Sequence, residues 1–195
     1  MTKEIEIHPF PAILPPDAKV MMMGSFPPKD EKRCMQFHYP NFQNDMWRIY
    51  GKVFFNNAEH FQVTGEKRFD AEKIQQFLFE KGIALCPTVK RAIREQNNAA
   101  DKFLTIIEAV NLTEVLPLVP DCRWIFTTGG KATEILLSLL DTQIKLPKTN
   151  EFIPFEYSER SLNLYRLPST SRAYPLSFEN KVNSYRTFFE LAGLI

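Results

Sequence analysis

Lys19-Val20-Met21-Met22-Met23-Gly24-Ser25-Phe26-Pro27 decides the fold. A short apolar run closed by glycine and proline reads as a strand buried on both faces. Gly24, Pro27, Pro28 and Pro40 then punctuate a long connection up to Gln43, and connections of that length inside a domain are usually functional. Beyond it, Asn44 or Asp45 caps a helix carrying Trp47, Ile49, Tyr50 and Val53. Asp70 caps a second helix, which Gly82 stops. Ile83-Ala84-Leu85-Cys86 is a short strand ended by Pro87, and residues 103–110 are apolar with no clear period. Residues 123–127 form a strand that Gly129-Gly130 turns into a helix running to about residue 140. Residues 162–167 are the last strand, opening into Pro168-Ser169-Thr170-Ser171, and Ser177 caps a closing helix. Strand, loop and helix recur in that order, which predicts an α/β domain with a largely parallel sheet. Ligands in such sheets bind beyond the carboxyl ends of the strands. Residues 1–17, with Pro9, Pro11, Pro15 and Pro16, read as an extended lead-in.

The chain has 195 residues, which fits one domain able to bury a real core. Apolar residues make up 44% and charged residues 24%, which excludes a disordered tail, a collagen-like repeat and a coiled coil. Twenty-four basic residues stand against 23 acidic ones, so a nucleic-acid partner would need positive charge gathered on one face. The start lacks a basic patch followed by an apolar run, and the leucine-rich run at 135–140 is too short to span a bilayer. A soluble, cytoplasmic protein away from membranes is expected. Cys34, Cys86 and Cys122 are odd in number and widely spaced, so buried free thiols are expected rather than a disulfide framework. His8, His38 and His60 have no metal-ligand spacing, and no metal site is expected.

Several motifs fail. Gly-Gly-Lys at 129–131 is not a phosphate loop, because that motif needs glycine where Ile125 stands and a hydroxyl where Ala132 stands. Ser25 is not in a nucleophile elbow, and no dinucleotide fingerprint occurs.

Four pieces succeed together. They are Met23-Gly24-Ser25-Phe26-Pro27; Phe37-His38-Tyr39-Pro40-Asn41-Phe42-Gln43-Asn44-Asp45-Met46-Trp47; Gly82-Ile83-Ala84-Leu85 with Gly130-Lys131-Ala132; and Leu167-Pro168-Ser169-Thr170-Ser171 before Leu176-Ser177-Phe178-Glu179. In this order the chain resembles the uracil-DNA glycosylase superfamily over about residues 18–190, and most of all its hypoxanthine-DNA (deoxyinosine) glycosylase branch. The resemblance implies a single-domain three-layer αβα sandwich around a mostly parallel four-stranded sheet. It implies a repair enzyme that flips a deaminated base, uracil or hypoxanthine, out of the duplex and hydrolyses its N-glycosidic bond. Such chemistry needs a stacking aromatic, polar groups for the base edge, and donors for the distorted phosphates. Dipoles fixed in advance can stabilise the positive sugar and the negative leaving base without a metal.

On this resemblance Asn44 carries catalysis, orienting water and hydrogen-bonding the sugar or base, since an amide is no base. Ser25 stands beside it as the second catalytic candidate. Gly24, Phe26, Pro27, Phe37, Tyr39 and Cys86 are the expected base pocket. Ser169, Thr170 and Ser171, with Arg172 and Lys131, are the expected DNA contacts. Phe26 stands where other branches place Asp or Asn, and His38, Asn41, Phe42 and Cys86-Pro87 depart from the branch's own pattern. Iron–sulfur branches use four cysteines and this chain has three, so no cofactor is expected. The partner is DNA containing a damaged base, and a monomer is expected. A non-catalytic nucleic-acid-binding module on the same fold is the competing reading. An unrelated small-molecule α/β enzyme is a third.

Overall fold

Val20–Met23 (β2) is buried at all four positions, as a strand covered on both faces must be. The computed structural model describes residues 4–95, 103–140 and 143–195. On either side of β2 run Ile83–Leu85 (β3) and Trp124–Thr128 (β6), both parallel to it. Arg160–Leu167 (β8) lies parallel to β6, and Phe152–Tyr157 (β7) closes the sheet antiparallel to β8. The order is β3-β2-β6-β8-β7. The four parallel strands are those expected from the sequence. The fifth, β7, holds Pro154, which has no N–H to donate and suits an edge.

Alternation along β2 divides the core. Val20 and Met22 face a layer built from Met46–Phe55 (α1), Ala71–Lys81 (α2) and Phe178–Leu191 (α5), dense in Trp47, Tyr50, Phe77, Phe188 and Phe189. Met21 and Met23 face Leu112–Val115 (α3) and Gly130–Ser138 (α4) through Leu112 and Leu136. The result is the three-layer sandwich. Asp70 caps α2 by accepting the Lys73 N–H, and Gly82 ends it at φ 63°.

A second sheet goes beyond the sequence reading. Ile5–Ile7 (β1), Val89–Arg94 (β4) and Leu104–Ala109 (β5) form an antiparallel ribbon in the order β1-β4-β5. The lead-in is therefore part of the fold. Its first strand pairs with β4, and Ile13 bridges Leu85 on the otherwise open edge of β3. Arg94, its side chain 2% exposed, clamps the ribbon. It makes a two-pronged ion pair with Glu6 and donates to the Pro27 carbonyl at 2.9 Å.

Candidate active site

The strand order sets the carboxyl ends of β2, β6 and β8 side by side, so the segments leaving them converge. There a cavity of about 410 Å³ opens, within the usual range for a small-molecule site. Gly24, Ser25, Phe26 and Pro27 form one wall, Ser169, Thr170 and Ser171 another, and Asn44 and Tyr39 line it from the long connection.

Asn44 sits just before α1. Its Oδ1 accepts the Met46 N–H at 2.9 Å. That bond fixes the amide plane and leaves Nδ2 without a partner among the described residues, so the group offers donors. Asp45 does not cap α1 with its side chain. Its carboxylate is taken by Arg172 Nε at 3.0 Å and Lys181 Nζ at 3.5 Å.

Tyr39 adopts φ 51°, the left-handed region that a bulky residue enters only under constraint. Its ring meets Trp47 edge-on, and its hydroxyl shares a 2.8 Å hydrogen bond with Thr128 at the end of β6. The hydroxyl lies over Gly24, where a Cβ would come within 2.5 Å of it. Gly129 is held to glycine by its φ of 91°, while a Cβ there would meet Ser169 only in ordinary contact at 3.5 Å.

Four expected residues stand elsewhere. Cys86 is buried in the layer toward α3 and α4. The alternation that turns Leu85 to the cavity turns Cys86 to the opposite face. Phe37 is buried against Trp47 and His38, inside the aromatic core rather than on the cavity. Lys131, in the first turn of α4, is half-buried and does not line the cavity. Arg172 lines a neighbouring groove.

The wall also holds His8 and Phe10, which arrive from the lead-in and were not among the expected site residues. His38, Asn41 and Pro87, three of the positions that depart from the branch's pattern, line it as well, with Thr128 from the end of β6. Burial, with the nearby His38 adding to it, pushes His8 down to about 4. Burial alone pushes His38 down to about 4 despite its Nε2 hydrogen bond to the Pro11 carbonyl at 2.7 Å. Both imidazoles are thus neutral near pH 7. No Asp or Glu lines the cavity among the described residues, so its polar groups are amides, hydroxyls, imidazoles and backbone. Burial raises Cys86 to about 12 and Cys122 to about 11, making both inert thiols, while Cys34 is half-buried. No group of three or more His, Cys, Asp or Glu is placed to hold a metal among the described residues. No helix there is long and apolar enough to cross a membrane.

No protein-family model matches the chain. A solution NMR structure of a Methanosarcina acetivorans protein, provisionally described as a uracil DNA glycosylase, superposes with a TM-score of 0.67. The match covers 97% of this chain and 99% of that one at 23% identity. The fold is therefore that of the uracil-DNA glycosylases. Among curated proteins, a hypoxanthine DNA glycosylase of Methanosarcina acetivorans is 29% identical over 125 residues, 64% of this chain and 72% of that protein. The sequence likeness is thus to a protein named as a hypoxanthine DNA glycosylase.

Proposed function

We propose that this protein is a DNA N-glycosylase that hydrolyses the bond between deoxyribose and a deaminated base, hypoxanthine or uracil, leaving an abasic site. The observation that carries the reading is the convergence of Gly24–Ser25–Phe26–Pro27, Asn44 and Ser169–Thr170–Ser171 on one cavity beyond the strand ends. The likeness to a hypoxanthine DNA glycosylase supports it.

In this reading the base is flipped into the cavity and meets Phe26 and the Tyr39 ring. As the glycosidic bond stretches, the sugar gains positive charge and the base negative charge. With no carboxylate in the wall among the described residues, rate enhancement comes from fixed dipoles, foremost the Nδ2 donors of Asn44 and the hydroxyl of Ser25. The Asn44 carbonyl keeps a second lone pair through which it orients the attacking water. Ser169, Thr170 and Ser171 hold the phosphates flanking the nucleotide. The enzyme works as a cytoplasmic monomer, and none of these steps calls for a metal.

The test is base release from labelled duplexes carrying hypoxanthine, uracil, xanthine or a T·G mismatch, followed by alkaline cleavage of abasic sites. EDTA is present throughout, and Asn44→Ala runs beside the wild type. Release that survives EDTA and collapses in the variant is the expected result. A wall without Asp or Glu among the described residues also favours a second reading, a nucleic-acid-binding module without catalysis. Folded protein that binds these duplexes and releases no base would establish that one instead.

A further inference from the structure

A second groove, of about 430 Å³, lies beside the cavity, and three cations, Arg48, Arg172 and Lys181, line it with a single carboxylate, Asp45. Asp45 is fully engaged, and its two oxygens serve Arg172 and Lys181. Lys181 is buried and donates its other hydrogen bond to the Ser171 carbonyl at 2.8 Å. Arg48 pairs with no carboxylate among the described residues. One terminal nitrogen of its guanidinium donates to the Phe42 carbonyl at 2.7 Å and the Asn44 carbonyl at 3.2 Å. The guanidinium lies over the Phe42 and Phe69 rings at 4.4 and 5.0 Å. The groove therefore carries surplus positive charge on groups held rigid by carbonyls and aromatic faces. Burial, and then the facing Arg172, push Arg48 below the ordinary guanidinium value.

The chain path links this groove to the cavity. Asn44 and Ser171 line the cavity, and the residues that follow each of them, Asp45 and Arg172, line the groove. The cavity and the groove thus share one wall, built by residues 44–45 and 171–172.

We propose that the groove seats a backbone phosphodiester of the strand next to the flipped nucleotide. Arg48 and Arg172 supply the charge-assisted hydrogen bonds, and the Asp45–Lys181 pair holds Arg172 in place. The assignment rests on the glycosylase reading only in taking DNA as the ligand.

The test is the salt dependence of binding to an undamaged duplex, read by fluorescence anisotropy. Neutralising one phosphate contact flattens the slope of log affinity against log salt by about 0.9. Arg48→Gln is expected to show that loss and to bind about tenfold more weakly at low salt. Arg48→Lys keeps the charge, so its slope stays near wild type while affinity falls. Lys145→Gln, exposed on the loop before β7, leaves the slope unchanged. Should Arg48→Gln fail to fold, Arg172→Gln, on a half-exposed side chain, gives the same flattening. A slope unchanged in the folded arginine variants overturns the seat, and so does an equal change in Lys145→Gln. Base release by the wild type is scored separately. Release with an unchanged slope sinks the seat and keeps the glycosylase. A flattened slope without release keeps the seat and sinks the glycosylase.

Discussion

Replacing Gly24 with alanine tests the packing that shapes the cavity. Gly24 does not have a positive φ, so alanine adds no backbone strain and the effect is steric. The new Cβ would lie 2.5 Å from the Tyr39 hydroxyl oxygen and 3.2 Å from the ring carbon bearing it. The ring has little room to yield, since Trp47 backs it and the hydroxyl is tied to Thr128. Overpacking of this kind costs about 1–3 kcal/mol. Tyr39→Phe alone gives up one hydrogen bond, worth about 0.5–1.5 kcal/mol. In the double variant the worst overlap is gone and only the 3.2 Å contact remains. The two losses should then fall short of adding by about 1 kcal/mol or more. Urea unfolding of the four proteins reads this directly. Additivity within error would show that Tyr39 moves freely and that Gly24 is not fixed by it.

Asn44→Ala is expected to lower single-turnover base release by about 10²–10³-fold. The lost bond to the Met46 N–H should cost only about 0.5–2 kcal/mol of stability, so a variant that melts near wild type yet stays fully active would remove Asn44 from catalysis. His38 binds a proton at 6.5 when unfolded and at about 4 when folded. Its contribution is therefore complete above pH 6.5 and is lost as pH falls toward 4, to a total of about 3 kcal/mol. Denaturant melts from pH 7.5 to 4 should show a steeper fall for wild type than for His38→Gln, and parallel curves would contradict the buried neutral imidazole. A thiol reagent near pH 8 should label Cys34 rapidly in the native protein and reach Cys86 and Cys122 only after denaturation. Base release should survive that labelling, and native labelling of Cys86 that abolishes release would contradict its place away from the cavity. Arg94→Met removes both prongs of the Glu6 pair and the Pro27 contact. It should cost about 1–3 kcal/mol and weaken substrate binding by loosening the arm that carries His8 and Phe10, which a rise in KM would register.

The parallel strands were legible because each is a short apolar run cut off by Gly, Pro or Thr-Gly, and such punctuation is local. The same holds for the strand-end segments at 24–27 and 168–171. The ribbon β1-β4-β5 was not legible. Val89–Arg94 mixes apolar with basic residues and has an irregular register, and Ile5–Ile7 finds its partner only at residues 91–93. No local pattern announces such a pairing. His8 and Phe10 were missed with it, since nothing near them tells that the lead-in folds back over the strand ends. Cys86 was misplaced for a subtler reason. Proximity to a strand end does not decide which face a residue takes, and one step along β3 exchanges the cavity for the far layer.

The wall that joins His8 to Ser171 also sets the order in which the molecule can be built. Ile5 must wait for Ile93, and the cavity must wait for the segment after β8 before its last side exists. Contacts so far apart in sequence carry a large loop-closure cost and form slowly. A chain still emerging from the ribosome can pair β2 with β3 long before it has anything able to grip a nucleotide. Recovery of base release after dilution from denaturant should accordingly trail the recovery of helical signal, so that catalytic competence marks the end of folding rather than its onset.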